Sequence, residues 1–138
     1  MEQKRVKKQQ NKFTGNQGEL LTALHLKNKG FSVLEMNYRK QWGEIDVIVR
    51  KDGKVHFVEV KTVSYGTKHD LDQSVAHGTY RPEEKVHDYK LKKLHRAIES
   101  WLIEHKWEGD FQIDVAAVRT VPRETYASIK IISNVILG

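Results

Sequence analysis

The chain has 138 residues, with 24 Lys and Arg against 18 Asp and Glu, a formal net charge of +6 and no cysteine. A chain of this length buries roughly 70% of its unfolded surface, so a single domain can be stable without cross-links. The lack of cysteine excludes disulfides, cysteine-ligated zinc and a cysteine nucleophile. No apolar run suits a membrane span or a secretory signal, so a cytoplasmic location is the default expectation.

The positive charge is concentrated at the start of the chain. Residues 1–13 contain five Lys or Arg side chains and one Glu. They predict a basic arm, which is either a disordered, solvated tail or a source of phosphate contacts through side chains such as Lys8. A second basic cluster includes Lys90 and Lys93. Nucleic acid is therefore the expected partner, and residues 14–138 are expected to form one domain.

Hydrophobic periodicity predicts the element order αβββαββ. Residues 14–29 carry apolar side chains at helical spacing, and Gly30 follows where a helix C-terminal cap is expected. Strand patterns come next, at residues 31–39, 44–50 and 55–63. The polar residues 64–81 contain two glycines and predict a long mobile loop.

The second half of the chain predicts one helix and two strands. Pro82 favours a helix start, and apolar residues at three- and four-residue spacing extend that helix to about Lys106. Segments rich in Ile, Val and Ala, residues 111–119 and 126–137, predict strands that Pro122 separates. The pattern as a whole indicates an α/β domain.

The Asp52-Gly53 dipeptide indicates a two-residue turn between the second and third strands. With that turn, Asp46 directly faces Glu59 in a non-hydrogen-bonded pair, with Cβ atoms about 4.5–5.5 Å apart. At an effective dielectric constant of ~20, the repulsion between these carboxylates is about 3 kcal/mol. A shared proton, a neighbouring ammonium group or a bound divalent cation would offset it.

Strict alternation divides the other hairpin residues between two faces. One face is expected to be core and carries Ile45, Val47, Val49, Val58 and Val60. The other face has apolar residues near the turn and charged residues at the far end. Polar residues confined to one end of a mostly buried face indicate a site at the edge of a sheet.

The charged end of the hairpin allows two interpretations. The first is a structural ion cluster that joins Asp46 and Glu59 to Glu44 and Lys61, which also face each other. The second is a metal site. Glu19 on the first predicted helix adds a further acid to the metal site, or instead completes a capping interaction at the helix start.

Four motifs resemble those of the YraN family of bacterial proteins: Gly18-Glu19, Asn37-Tyr38-Arg39, Gly43-Glu44-Ile45-Asp46 and Phe57-Val58-Glu59-Val60-Lys61. The resemblance spans residues 13–137. It implies membership of the PD-(D/E)XK nuclease superfamily and a distant similarity to archaeal Holliday junction resolvases. The implied fold is α/β, with a restriction-endonuclease-like αβββαβ core and a central mixed sheet flanked by helices.

The same resemblance implies a catalytic set. Asp46 takes the place of the motif's Asp, Glu59 and Lys61 take the place of its (D/E)XK, and Glu19 takes the place of the helix-borne acid. Mg²⁺ or Mn²⁺ is then expected on Asp46, Glu59, the carbonyl of Val60 and, directly or through water, Glu19. Lys61 is expected to orient the attacking water or to steady the phosphate.

The nucleic-acid contacts are expected from Lys90, Lys93 and Lys8. Ile45 stands where the superfamily name has Pro, and the family's Arg-Phe-Asp in a later strand reads Gln112-Ile113-Asp114. The expected activity is metal-dependent endonucleolytic hydrolysis of DNA phosphodiester bonds, with branched or structured DNA as candidate substrates. The alternative is a non-catalytic nucleic-acid-binding or interaction module that retains the fold. A homodimer is a further expectation, because many nucleases of the superfamily dimerise.

Overall fold

The computed structural model describes residues 17–77 and 88–135. Its helices and strands are α1 (17–28), β1 (Ser32–Lys40), β2 (Gly43–Lys51), β3 (Lys54–Ser64), α2 (Lys68–His77), α3 (Asp88–Glu104), β4 (Asp110–Val121) and β5 (Tyr126–Ile132). A 3-10 turn at Pro122–Glu124 separates the last two strands, as Pro122 predicted. The predicted arm at residues 1–13 and the predicted helix start at Pro82 lie outside the described residues.

The five strands form one mixed sheet in the order β1-β2-β3-β4-β5. Strands β3 and β4 are parallel, whereas the other neighbouring pairs are antiparallel. A parallel pair needs a long crossover connection, and the connection from β3 to β4 contains α2 and α3. The sheet confirms the predicted α/β class with a central mixed sheet and flanking helices.

Two apolar clusters cover the two faces of the sheet. On one face, α3 contributes Leu94, Ala97, Ile98 and Trp101, which recur at helical spacing and pack on sheet residues that include Phe57. On the other face, Ala23 and Leu26 of α1 pack on Val47, Val49, Val58 and Ala116. The sheet is therefore a central layer that holds its helices on opposite sides. Among the described residues, no helix is both long and apolar enough to cross a membrane.

The predicted hairpin between β2 and β3 is confirmed. Asp52 has a φ of 52° and Gly53 a φ of 75°, the two positive values that a type I′ turn requires. The register runs from Lys51 opposite Lys54 to Val47 opposite Val58, as the turn predicted. The turn chemistry thus fixes which residues of the two strands face each other, as far as the Val47–Val58 pair.

The predicted loop at residues 64–81 is wrong for its middle part, which forms α2. Thr67 Oγ1 accepts a hydrogen bond from the Asp70 N–H at 3.1 Å and so caps the helix start. Lys68 and Asp72 form an (i, i+4) ion pair, and Leu71 is buried. Because Leu71 is the one large apolar side chain that the described part of α2 buries, the sequence lacks the periodic apolar stripe that predicts a helix.

The last strand is shorter than the predicted segment 126–137, because β5 ends at Ile132. Asn134 has a left-handed backbone with a φ of 56°. Its N–H is bound by the Asp114 carboxylate at 2.9 Å. A residue in this conformation interrupts an extended strand, so β5 stops before it.

Candidate functional site

The sheet divides between β2 and β3. Their mutual pairing extends from the turn to Val47 opposite Val58. Beyond that point β2 stays paired with β1, whereas β3 stays paired with β4 as far as Ser64. We call the resulting gap, between residues 43–46 of β2 and residues 59–64 of β3, the fork. The sequence-predicted acids of both strands lie at its closed end.

Asp46 occupies the fork with its side chain. Its Oδ2 accepts a hydrogen bond from the Val60 N–H at 2.8 Å. In a continued antiparallel ladder, the Val60 N–H would instead bond to the Ile45 carbonyl. The prediction that Asp46 and Glu59 form a ladder pair is therefore wrong, because the Asp46 carboxylate takes the place of a backbone acceptor. The two backbone groups of one strand residue point to the same edge, so the Val60 carbonyl also faces the fork.

The alternation of β2 breaks beside Asp46. Ile45 packs in the same cluster as Ile48, whereas Val47 packs with α1 on the other face. Strict alternation predicted Ile45 on the face of Val47, and that assignment is wrong. Asn37, which stands opposite Asp46 in the β1–β2 register, has a left-handed φ of 55°. The alternation thus breaks at Asp46, whose side chain lies in the gap instead of on either face of the sheet.

Helix α1 brings Glu19 to the fork through a close contact with β3. A Cβ placed on Gly18 would lie 2.0 Å from Thr62 Oγ1, so glycine allows the helix to approach the strand at this point. Thr22 Oγ1 donates to the Gly18 carbonyl at 2.8 Å within the helix. The residue after Gly18 is therefore held at a fixed height beside the strand.

The carboxyl group of Glu19 lies in an unfavourable environment for a negative charge. Burial, followed by the charge of Asp46, raises the pKa of Glu19 to about 7, although Asn37 and Arg39 act in the opposite direction. Its Oε2 is buried and has no hydrogen-bond partner among the residues that the structure describes. The structure thus brings together two of the predicted site residues, Glu19 and Asp46.

Glu59 and Lys61 form an ion pair on the β3 side of the fork. The Lys61 Nζ lies 3.5 Å from Glu59 Oε1, and the two side chains are only 15% and 10% exposed. By the alternation of β3, both extend from the face that carries Phe57. Glu44, predicted opposite Lys61, forms an exposed ion pair with Arg39 at 3.9 Å. The charges predicted as one cluster therefore belong to separate contacts.

The acids fit a divalent cation only with help from other ligands. Within residues 17–77 and 88–135, no three His, Asp or Glu side chains are grouped as a complete metal site. Mg²⁺ is commonly held by one or two carboxylates together with water and substrate phosphates. Asp46, the unpartnered oxygen of Glu19 and the Val60 carbonyl have the chemistry of such a partial site.

Asp114 has a structural role that the sequence did not reveal. Its carboxylate contacts His56 Nδ1 at 2.8 Å and accepts from Gln112 Nε2 at 2.7 Å and from the Asn134 N–H at 2.9 Å. Gln112 is the residue that stands in place of the Arg of the family's Arg-Phe-Asp motif, and its side-chain amide donates to Asp114. The cluster ties β3, β4 and the end of β5 together. In the sequence, the one indication of this cluster was the polar His56 on an otherwise apolar face of the hairpin, because such a residue needs a polar partner.

Of the three lysines predicted to contact nucleic acid, the structure describes the side chain of Lys93. Lys93 is exposed and lines a cavity beside α3. The side chain of Lys90 and the whole of Lys8 lie outside what the structure describes. The nucleic-acid contacts of Lys8, Lys90 and Lys93 all remain predictions.

The fold and the site define an α/β protein whose mixed sheet divides beside a pair of acidic residues. The pattern described as "Uncharacterised protein family UPF0102" matches residues 18–118, which include Glu19, Asp46, Glu59 and Lys61. The chain belongs to this family, and the predicted resemblance to YraN proteins is thereby confirmed at the family level.

Relatives in Campylobacter cover most of the chain. A UPF0102 protein of Campylobacter lari is 34% identical over 104 residues, which are 75% of this chain and 81% of that protein. One of Campylobacter fetus subsp. fetus is 31% identical over 104 residues, with the same coverage of 75% and 81%. One of Campylobacter jejuni subsp. jejuni is 33% identical over 102 residues, with 74% and 80% covered. Their names carry the family and no activity.

Proposed function

We propose that this chain is a metal-dependent endonuclease of the PD-(D/E)XK type that hydrolyses phosphodiester bonds of DNA. The observation that carries the proposal is the pairing of Glu19 with Asp46 at the fork, with one Glu19 oxygen buried and unpartnered. Burying a carboxylate beside a second carboxylate costs stability. Such an arrangement is typical of a functional site, where the cost is offset by a ligand or a reaction.

The topology supports a restriction-endonuclease-like core. The chain has an antiparallel unit β1-β2-β3, a helical crossover and a parallel strand β4, in the order that the family resemblance implies. The motif residues are distributed over α1, β2 and β3, and the fork is where these three elements meet. A division between two strands gives access to backbone groups that a continuous ladder would occupy.

The proposed ligands of Mg²⁺ or Mn²⁺ are Asp46, Glu19 and the Val60 carbonyl, with Glu59 as a further carboxylate. When bound, such an ion supplies Lewis-acid stabilisation of phosphate charge and a more acidic water. Asp46 also holds the Val60 N–H, so one carboxylate fixes the edge of β3 and contributes to the site. The hydrogen bond from the Val60 N–H to Asp46 thus holds two of the proposed ligands, the Asp46 carboxylate and the Val60 carbonyl, next to each other.

Lys61 is proposed to orient the attacking water or to contact the phosphate. Its ammonium group donates hydrogen bonds and carries the charge that a phosphate oxygen attracts. The contact with Glu59 at 3.5 Å keeps this charge in a mostly buried position next to the fork. Glu59 is in this respect a positioning residue for Lys61 as well as a candidate ligand.

A non-catalytic nucleic-acid-binding module is the second candidate function. It is favoured by the same Glu59–Lys61 ion pair, because a carboxylate neutralised by lysine has less need of a cation. In this case the fork would have no catalytic role. Addition of metal would neither change nucleic-acid binding nor lead to cleavage of the nucleic acid.

The two candidates are distinguished by cleavage assays with a matched control. We suggest incubating the chain with single-stranded, duplex and four-way junction DNA in Mg²⁺, Mn²⁺ or EDTA. Asp46→Asn keeps an oxygen for the Val60 N–H, and we expect it to lower metal-dependent cleavage about 100-fold or more. Glu44→Gln removes an exposed acid from the same strand and should leave cleavage unchanged.

The wild-type protein must cut at least one of these DNA forms in the presence of Mg²⁺ or Mn²⁺. The proposal fails if none of the three DNA forms is cut with either metal. It also fails if Asp46→Asn cuts as fast as wild type, because the cleavage would then come from a contaminant or from another site.

A further inference from the structure

A basic cavity lies between the β1–β2 turn and α3, and its described lining includes none of the acids at the fork. Its volume is about 520 Å³, and it is lined by Gln41, Trp42, Lys92, Lys93 and Arg96. The lining thus combines three cationic side chains with an amide and an indole. A cavity of this composition suits a ligand that is both anionic and planar.

Trp42 is exposed and yet held in a fixed orientation. Its indole is 45% exposed, whereas its Nε1 donates to Ser100 Oγ at 2.7 Å. Ser100 Oγ in turn donates to the Arg96 carbonyl at 3.1 Å within α3. The polar edge of the ring is therefore tied to the helix that supplies the cations. A ring held at its edge keeps a face for stacking at little entropic cost.

The wall of the cavity is built by a close backbone contact. A Cβ placed on Gly43 would lie 2.0 Å from the Lys93 carbonyl oxygen, so the β1–β2 turn rests directly on α3. Neither backbone can rotate away as a side chain would. The backbone that carries Trp42, next to Gly43, is consequently held against the backbone of α3 that carries the cations, which favours a preformed binding site.

The combination of cationic side chains and an exposed indole favours one class of anionic partner over others. An acidic peptide would use the three cations but would gain little from the indole. The bases of a duplex are stacked on each other and offer no free face. A single-stranded nucleic acid supplies phosphates for the cations and unpaired bases for the indole, which is the usual design of sites for single strands.

We propose that this cavity binds an unpaired nucleotide of a nucleic-acid strand, with the base stacked on Trp42 and flanking phosphates on Lys92, Lys93 and Arg96. The inference rests on the proposed function insofar as the bound strand is the substrate. Gly43 precedes Asp46 by three residues on β2, a separation of roughly 10 Å along the strand. A strand bound in the cavity would therefore extend to the fork within a few nucleotides.

The direct test removes the indole. Fluorescence anisotropy of a labelled oligo(dT) 10-mer is measured in EDTA, where metal-dependent cleavage cannot occur. We expect Trp42→Leu to weaken binding by about 5- to 150-fold, the range for loss of one stacked base, and Trp42→Phe to retain a large part of the affinity. Thermal unfolding of each variant checks that the exposed substitution leaves the fold intact.

A matched pair of charge variants tests whether the cations act locally. Arg96→Gln and Lys27→Gln each remove one positive charge, but Lys27 is an exposed residue of α1, outside the cavity. For single strands, each lost phosphate contact lowers the salt slope by about 0.7. We expect that decrease for Arg96→Gln and an unchanged slope for Lys27→Gln. Equal slopes for the two variants would overturn the proposal.

Two further ligands separate the proposed partner from others. A blunt duplex 10-mer and poly-Glu of equal charge should bind more weakly than oligo(dT), and their binding should be insensitive to Trp42→Leu. If Trp42→Leu binds oligo(dT) within twofold of wild type, or if poly-Glu binds as tightly as oligo(dT), the inference is wrong.

Failure of this inference and failure of the nuclease proposal give different results. Loss of oligo(dT) binding in Trp42→Leu, with no DNA cut by wild type, would support the cavity and refute catalysis. Metal-dependent cleavage that Asp46→Asn abolishes, with oligo(dT) binding unaffected by Trp42→Leu, would support catalysis and refute the cavity.

Discussion

Replacing Glu19 with glutamine should stabilise the protein at neutral pH and leave it unchanged in acid. The side chain of Glu19 has a pKa of about 7 in the folded chain against an ordinary value of 4.5. Between these values the folded state binds more protons than the unfolded state, so the free energy of unfolding falls as the pH rises through this window. Glutamine has no proton to lose, so Glu19→Gln removes that fall.

The magnitude follows from the pKa difference. At about 1.4 kcal/mol for each pH unit, a fully buried group would contribute roughly 3 kcal/mol. Because Glu19 is only half-buried, screening by solvent reduces this, and we expect Glu19→Gln to be more stable by about 1–2 kcal/mol at pH 8. The gain should shrink to zero near pH 4, where Glu19 is protonated in both states.

The measurement is a series of urea unfolding curves from pH 4 to pH 8 for wild type and variant. Their difference reports the Glu19 carboxyl group together with its interaction with Asp46, because the other titrating groups are common to both proteins. Glu108→Gln, a change at an exposed acid, serves as the control and should differ from wild type by less than about 0.5 kcal/mol at every pH. A difference curve for Glu19→Gln that is flat, or that favours wild type at pH 8, would refute the reasoning.

Two further substitutions test the contacts that support the site. Gly18→Ala should lower the free energy of unfolding by about 1–3 kcal/mol in urea, because the added Cβ would overlap Thr62 Oγ1. Adding Thr62→Ala should restore most of this loss. If it restores none, the overlap with Thr62 is not the cause. Asp114→Ala should cost about 1–3 kcal/mol in the same assay, since it leaves the half-buried His56 ring and the Asn134 N–H without their acceptor. A cost below about 1 kcal/mol would contradict a tying role for Asp114.

The parts of the fold that local chemistry determines were predictable from the sequence. Asp52-Gly53 specifies a turn with two positive φ angles, and that turn fixes the register of β2 against β3. The apolar stripe likewise predicted helix α3, and the structure buries Trp101 of that stripe. In each case neighbours in the sequence carry the information.

The details of the site depend on contacts between distant residues, so the sequence could not reveal them. Alternation predicted a ladder pair of Asp46 and Glu59, but the pairing of β2 with β3 ends at Val47 and Val58, and Asn37 on the neighbouring strand has a left-handed backbone. Helix α2 has little apolar periodicity and depends on Leu71, together with a bond from the Lys68 N–H to Glu124 after β4. No local pattern records either contact.

The division of the sheet also determines how the site can change shape. Asp46 lies on β2 and Glu59 on β3, just beyond the Val47–Val58 pair, where β2 pairs only with β1 and β3 only with β4. Beyond that pair, the separation of the two strand ends depends on strand twist, and the Asp46–Val60 hydrogen bond spans the gap between them. The hairpin turn therefore fixes the closed end of the fork, whereas its open end has no ladder between the two strands.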